Sequence, residues 1–288
     1  MKKLLSTLFL FVLLVSTAMA GYFERSEPYL VKFFKPKAAG LLEVSNPEGN
    51  ISVIGTDSKN ASVALLVTDL EGNYHKATIQ KALENYTIDI REENNTIFAS
   101  AVRKPDTKGK ELLISFRVNI PKKTVCNLYA SSGSITLNNI KANSKARTTG
   151  GAISLCQFAG ALQAESNGGA ISLNEAEGSL KLLSSGGSIN LKKVGGDIDA
   201  RSEGGSILAD VRELGKFLIL ETNDGSLQAT IPGNRGINLD LAGKLVRSEA
   251  ENFSGISETG KIVGTINGGG VPVKLHTLSG QAELRYKL

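Results

Sequence analysis

Few side chains in this chain of 288 residues could carry acid–base or metal chemistry. His75 and His276 are its two histidines, and they lie in different regions of the chain. Two histidines so far apart in the sequence give little support to a Ser-His-Asp triad or a histidine metal site. We interpret both as ordinary surface or strand residues. Asp197 and Asp199 flank Ile198, so on a β-strand both carboxylates would point outward, where their oxygens could hold a cation.

Cysteine chemistry is equally sparse. Cys126 and Cys156 are the two cysteines, too few for a disulfide framework. We expect two unpaired thiols, with Cys126 facing inward and Cys156 near a corner of the chain. Stability must then come from packing.

The first residues predict export. Residues 1–20 combine a basic start, an apolar stretch from Leu8 to Val15 and the small-residue ending Ala18-Met19-Ala20, which is the order of a secretory signal peptide. We expect the mature chain to begin at Gly21 and to reach the periplasm or the cell surface. An uncleaved membrane anchor is the alternative, but the apolar stretch is shorter than the ~20 residues that a bilayer core requires, and no later segment is long enough.

The composition is that of a folded chain with many turns. Hydrophobic residues make up 41% of the chain, enough for a sizeable core, which excludes intrinsic disorder. Glycine is frequent and tryptophan is absent, a mixture that favours tight turns around aliphatic strands. The net charge of +5 is too small to favour nucleic-acid binding, so we expect no nucleic-acid partner.

A repeat of 18 residues organises the middle of the chain. Five segments resemble Ser185-Gly-Gly-Ser-Ile-Asn-Leu191, each with Ile two places after a common glycine and four of them with Leu four places after it. The common glycines are Gly133, Gly151, Gly169, Gly187 and Gly205. The other half of each period repeats as well, and each period holds two short strands in which apolar and polar residues alternate.

Stacking each rung on the previous one would pair every strand with its copy and bury a continuous core. The repeat therefore predicts a parallel β-solenoid in which Ile153, Ile171 and Ile189 form an inward column. We expect the glycines to turn the corners by adopting φ > 0. Similar corners at Gly225, Gly260 and Gly280 are unevenly spaced, which predicts irregular later rungs with an excursion over residues 247–256.

The part of the chain before the repeat is also rich in strand patterns. These patterns cover Leu41–Thr56, Ala61–Thr68, Tyr86–Ile90, Thr96–Val102 and Leu112–Ile120. The segment from Tyr74 to Asn85 is the helical candidate, with Ala77, Ala82 and Leu83 as its apolar stripe. Because a terminal rung exposes an open end, we expect this region to cap the solenoid. The predicted division is signal peptide 1–20, leader 21–39, β-rich cap 40–124 and solenoid 125–288, regular over 125–211 and irregular over 212–288.

Residues 40–288 resemble the bacterial putative adhesin family. The motifs that carry the resemblance are the segment from Leu41 to Asp57, the segment Val118-Asn-Ile-Pro-Lys122 and the serial S-G-G-S-I-x-L rungs. The resemblance implies an exported, all-β protein whose fold is a right-handed parallel β-helix, and it implies no established catalytic site. With the cap and its one short helix, this is the expected fold.

Outward polar residues of the regular rungs form the candidate binding site, which consists of Thr136, Ser154, Ser172 and Asn190. A flat strip of hydroxyls and amides suits a glycan or a second copy of the protein, although it is equally what a solvent-exposed sheet face requires. The 18-residue period also sets Asp199 beside Lys181, so a solvated ion pair is the alternative to a cation site. We expect no catalytic residue, no metal and no cofactor. Calcium in particular is not expected, because the repeat pattern of calcium-binding β-rolls is missing.

Three functions fit these observations. The first is a non-enzymatic, adhesin-like module that binds a cell-surface polysaccharide or an envelope protein, or acts as a scaffold. The second is a β-helical polysaccharide lyase or hydrolase that uses Asp197 and Asp199. The third is self-association into an envelope scaffold through the ends of the solenoid.

Overall fold

The computed structural model describes residues 27–36, 40–70, 75–109, 111–248 and 251–287. The predicted signal peptide and part of the predicted leader lie outside the described residues. One helix, α1 (Lys76–Leu83), falls between the fourth and fifth strands of the described chain. The strands are β1 (Leu30–Phe34), β2 (Leu41–Asn46), β3 (Ile51–Thr56), β4 (Ala61–Asp69), β5 (Tyr86–Glu93), β6 (Thr96–Arg103), β7 (Leu112–Pro121), β8 (Val125–Ala130), β9 (Ile135–Ile140), β10 (Ser144–Thr148), β11 (Ile153–Ser166), β12 (Ile171–Ser184), β13 (Ile189–Ser202), β14 (Ile207–Thr222), β15 (Leu227–Pro232), β16 (Ile237–Ala242), β17 (Leu245–Ser248), β18 (Phe253–Glu258), β19 (Lys261–Ile266), β20 (Val271–Thr277) and β21 (Gln281–Lys287).

The strands build two parallel ladders that face each other across the core. Each of β11 to β14 runs along one ladder, turns a corner and continues along the other. Sheet 1 has the order β6, β2, β8, β10, second halves of β11 to β14, β20, β16. Sheet 2 has the order β7, β3, β9, first halves of β11 to β14, β15, β21, β17.

The 18-residue register is confirmed. Ile153 pairs with Ile171, and Ile171 pairs with Ile189, each in the same position of a parallel ladder. All three side chains are fully buried, with an exposed fraction of 0%. At roughly 1.5–3 kcal/mol for each buried aliphatic side chain, such columns are a main source of stability.

The rungs do not stack in chain order at either end. The rung of β2 and β3 pairs with β8 and β9 on one side and with β6 and β7 on the other, so it is inserted into the ladder. At the opposite end, the rung of β20 and β21 lies between that of β14 and β15 and that of β16 and β17. The parallel coil therefore starts at Leu41, inside the predicted cap, and continues through the predicted boundary at residue 125.

Antiparallel strands and the helix cover the ends. β4 pairs with β7, β1 pairs with β4, and β5 pairs with β6, so the first rung is extended by antiparallel neighbours. The predicted leader thus contributes a strand, β1. At the other end β18 and β19 form an antiparallel hairpin beside β16. Gly260 turns this hairpin, so its predicted role as a solenoid corner is wrong, whereas Gly225 and Gly280 do stack as corners.

The helix is shorter than predicted and buries a different residue. Ile79 and Ala82 are buried, Leu83 is half-buried, and Ala77 is exposed. The predicted stripe included Ala77 in place of Ile79. The helix begins at Lys76 and packs against β4 and β7. The larger apolar side chain, Ile79, occupies the buried position instead of Ala77.

The repeated glycines are required for close approach, and the predicted φ > 0 at these positions is wrong. None of the five common glycines lies in the left-handed region. Instead, a Cβ built on Gly169 would lie 2.0 Å from the carbonyl oxygen of Gly151, one rung earlier. Left-handed backbone occurs at the opposite corner, where Gln157 has φ 55° and Gly160 has φ 142°.

A ladder of buried hydroxyl groups locks the glycine corner. Ser166 Oγ accepts a hydrogen bond of 2.9 Å from the Gly169 N–H and donates one of 2.9 Å to the carbonyl oxygen of Gly151. The same pair of bonds recurs at Thr148, Ser184, Ser202, Thr222 and Thr277. Each hydroxyl therefore joins two successive rungs at a point where backbone groups would otherwise be buried without partners.

Replacing Gly169 with Ala should destabilise the solenoid strongly. The new Cβ would overlap backbone atoms of the preceding rung, which move only if the whole rung shifts, so we expect a loss on the order of 3 kcal/mol in the free energy of unfolding. Gly168→Ala is the matched control, because the nearest atom to its Cβ is 3.5 Å away. Urea denaturation of both variants measures the difference, and equal stabilities would contradict the close-approach argument.

Replacing Ser166 with Ala should cost about 1–3 kcal/mol, because the Gly169 N–H and the Gly151 carbonyl would lose a buried partner. Ser166→Thr should be much less harmful, since Thr occupies the equivalent position at Thr148 and Thr222. Denaturant unfolding of the two variants tests this. If Ser166→Ala were as stable as Ser166→Thr, the hydroxyl ladder would contribute nothing to the free energy of unfolding.

Candidate functional site

The predicted binding residues lie in one row on the outer surface of sheet 2. Thr136 is in register with Ser154, Ser154 with Ser172, and Ser172 with Asn190. Ser52, which the sequence prediction missed, extends the row by pairing with Thr136. We call these five residues the polar strip.

The polar strip offers hydrogen-bonding groups that the protein itself does not use. Within the described part of the chain, the side chains of Thr136, Ser154, Ser172 and Asn190 form no hydrogen bond. Neighbouring strands of a sheet are about 4.8 Å apart, so the strip is a regular row of donors and acceptors. It ends at Leu208, which pairs with Asn190 and is 48% exposed.

The outer surface of sheet 1 has a different character over β13, β14 and β20, because its charges there neutralise one another. Arg201 Nε lies 2.7 Å from Asp199 Oδ1, and the same guanidinium also pairs with Glu221. Lys274 Nζ lies 2.6 Å from Glu221 Oε1 on the next strand. The four residues form a continuous ion-pair network across β13, β14 and β20.

The network shifts the pKa values of two of its members. Burial raises the pKa of Glu221, but the hydrogen bond from Lys274 and the charges of Arg201 and Lys274 outweigh it, so the pKa lies below its ordinary value of 4.5. The hydrogen bond to Asp199 raises the pKa of Arg201 above its ordinary value. Glu221 therefore stays ionised at neutral pH and below.

The two carboxylates that we considered for a cation or for catalysis both have protein donors. Asp197 Oδ1 accepts a 2.7 Å hydrogen bond from the Lys216 backbone N–H, and Asp199 pairs with Arg201. Lys181 is in register with Asp199 as predicted, but the predicted ion pair between them is wrong. Arg201, two residues along the same strand, reaches Asp199 with a planar guanidinium that fits a carboxylate better.

Comparison with known proteins places the chain in a family. The family model Toastrack DUF4097 matches residues 41–285, which span the parallel coil from β2 into β21. The chain belongs to the Toastrack DUF4097 family. Its β-solenoid fold and its predicted resemblance to bacterial adhesins are thereby confirmed.

Solved structures similar to this Toastrack chain share little sequence with it. A putative adhesin from Parabacteroides distasonis is 12% identical, with 91% of this chain and 98% of that chain covered and a TM-score of 0.39. A putative adhesin from Bacteroides fragilis is 15% identical, with 90% and 96% covered and a TM-score of 0.36. A putative lipid binding protein from Parabacteroides distasonis is 10% identical, with 90% and 98% covered and a TM-score of 0.35. No curated protein matches the chain.

The histidines of the Toastrack chain lie apart from the polar strip. His75 is exposed immediately before α1, and His276 lies on β20, where its Nε2 is 2.9 Å from Asp240 Oδ2. Both positions agree with their predicted interpretation as surface and strand residues. In the described ranges, no three His, Cys, Asp or Glu side chains converge as a metal site would require.

Both cysteines are unpaired, as predicted. Cys126 lies in the inward column of sheet 1, and burial raises the pKa of its thiol to about 12, so it stays protonated. Cys156 is half-buried on sheet 2, where Asn174 Nδ2 lies 3.5 Å from its sulfur.

The described part of the chain contains no helix with the length and apolarity needed to cross a membrane.

Replacing Glu221 with Gln should lower stability by about 0.5–1 kcal/mol at pH 7, because Arg201 and Lys274 lose a shared charged partner at a site that is 24% exposed. The folded-state pKa of Glu221 is depressed, so its contribution is complete above pH 4.5 and is lost as the pH falls through the folded value. Urea unfolding of wild type and variant at pH 7 and at acidic pH tests this. A difference that persisted unchanged in acid would contradict it.

Proposed function

We propose that this Toastrack protein is an exported, non-enzymatic binding or scaffolding module of the cell envelope. Its polar strip would contact a cell-surface polysaccharide or an envelope protein. The observation that carries the proposal is the unused hydrogen-bonding capacity of Thr136, Ser154, Ser172 and Asn190, held in register on a flat ladder.

The spacing and chemistry of the strip suit an extended ligand. Hydroxyl and amide groups both donate and accept hydrogen bonds, so a row of them can satisfy the hydroxyls of a glycan or the backbone of an extended peptide. A ligand lying along the solenoid axis would meet one side chain per rung. Because the strands already hold these side chains in register, less conformational entropy is lost when a ligand binds.

The non-enzymatic part of the proposal is supported by the acids themselves. Asp197 and Asp199 accept hydrogen bonds from Lys216 and Arg201, so protein groups already occupy the two carboxylates that the enzyme hypothesis requires. His276 contacts Asp240 on sheet 1 and not the strip. Export is supported by the pattern of residues 1–20, with cleavage expected before Gly21.

Two acidic residues placed in the strip should weaken its proposed contacts. We expect the double variant Ser154→Glu/Ser172→Glu to bind isolated envelope polysaccharide or a purified envelope partner about tenfold more weakly than wild type, a loss near 1.4 kcal/mol. Gln163→Glu/Lys181→Gln is the control, because it makes the same change of charge on sheet 1. Co-sedimentation and calorimetry measure both variants.

Three results would overturn the proposal. Equal binding by the strip variant and the control would remove the strip as the contact surface. Turnover of a uronic-acid polymer that is lost in Asp199→Ala would replace a binding module with an enzyme. Concentration-dependent rods without affinity for either probe would make the chain a self-assembling scaffold that needs no ligand.

A further inference from the structure

A trough on the outer surface of sheet 1 lies near the capped N-terminal end, away from the ion-pair network. Its volume is about 460 Å³, within the range of small-ligand pockets. Phe98, Glu43, Asn127 and Lys145 follow one another in register across β6, β2, β8 and β10, and they form one wall. Tyr129, in the neighbouring row, forms the other.

Two aromatic rings border the trough. Tyr129 is 41% exposed, an unusual position for a large aromatic ring. Phe98 is half-buried, and the guanidinium of Arg91 lies 4.4 Å from the centre of its ring. The strand between the two rings carries the small residue Ser45 beside Tyr129, which leaves the depression open.

The spacing of the rings follows from the ladder. Phe98 lies on β6 and Tyr129 on β8, with β2 between them. Two strand spacings correspond to about 10 Å along the stacking direction. A ligand in the trough would therefore meet Tyr129 on one side while its far edge approached Phe98.

The polar groups of the trough are unused. Among the described residues, no side chain forms a hydrogen bond or ion pair with Glu43, Asn127, Tyr129 or Lys145. This differs from the network around Arg201, where each carboxylate has a cationic partner. The trough combines an exposed ring with a free carboxylate, amide, phenol and ammonium group.

The charges around the trough balance. The carboxylate of Glu43 is offset by the ammonium of Lys145, two strands away in the same row. Among the residues that line the trough, the guanidinium of Arg91 is neutralised by Asp89. A strongly anionic ligand would gain little attraction and would meet the charge of Glu43.

We propose that the trough binds a neutral pyranose unit of a glycan, with the apolar C–H face of the sugar on the ring of Tyr129. A pyranose is apolar on one face and carries hydroxyl groups at its rim, which is the combination that an aromatic ring beside polar side chains can match. Glu43 accepts hydrogen bonds from two neighbouring hydroxyls, and Asn127 and Lys145 donate to hydroxyl oxygens.

This site goes beyond the proposed function, because it lies on sheet 1 and uses none of the polar-strip residues. The trough can fail while the strip binds, and the reverse also holds. Each site therefore has its own variants, and the two are tested on the same protein.

Substitutions of Tyr129 separate stacking from hydrogen bonding. We expect wild type to bind at least one neutral polysaccharide from a set built of glucose, galactose, mannose or N-acetylglucosamine, and Tyr129→Ala to weaken that binding about tenfold. Tyr129→Phe should retain most of the affinity, because it keeps the ring. Glu43→Gln should weaken binding as well, because it removes the charged acceptor of the sugar hydroxyls.

The controls identify the site and protect against loss of folding. Lys181→Gln, on sheet 1 but outside the trough, should leave this affinity unchanged, and thermal unfolding of each variant should match wild type, since Tyr129 is exposed. Isothermal titration calorimetry with the full mature protein gives the affinities. Equal affinity of Tyr129→Ala and wild type, salt-sensitive binding of polygalacturonate alone, or no binding to any neutral polysaccharide would each overturn the proposal.

Discussion

The close contact between successive rungs at the glycine corner is the constraint on which this solenoid depends. The backbone of Gly169 passes so near the carbonyl of Gly151 that no side chain fits between them, and the hydroxyl of Ser166 joins the two rungs at the same point. Because this arrangement recurs along the ladder, it fixes the position of each rung relative to the last. The register of the buried columns follows from it, and so does the register of every outward side chain.

That register decides what the two faces can do. On sheet 1 it brings Glu221 within reach of both Arg201 and Lys274. These charges pair with one another in a network that stabilises the surface. On sheet 2 it aligns the small polar side chains of the strip, which form no hydrogen bond among the described residues, so their hydrogen-bonding capacity remains available. One geometrical rule thus produces a region of paired charges on sheet 1 and a row of unpartnered polar groups on sheet 2. In the described residues, the polar strip and the trough beside Tyr129 both keep polar groups without a protein partner, and these are available to another molecule.

Sequence reasoning succeeded where the information is local and periodic. The alternation around Ile171, the inward place of Cys126 and the row from Thr136 to Asn190 all follow from the 18-residue period, and the structure confirms each placement. It failed where a residue was interpreted without its spatial neighbour. The partner of Asp199 is Arg201 and not Lys181, because side-chain length and planarity decide between two cations that are both near. The repeated glycines were explained by the wrong cause. A position that needs positive φ and a position where no Cβ fits both require glycine, so the sequence alone does not distinguish them.

The sequence by itself determined the repeating unit, the inward and outward faces, and the presence of a capped solenoid. Those properties depend on the alternation of residue types over a few positions, which the printed chain displays directly. The tertiary structure alone decided that the rung from Leu41 to Thr56 is inserted between later rungs, that β20 and β21 enter before β16 and β17, and that Gly260 turns a hairpin. The physical reason is that every rung presents nearly the same edge of backbone donors and acceptors. Which rung pairs with which is therefore chosen by the packing of the two ends, a non-local balance that no short motif records.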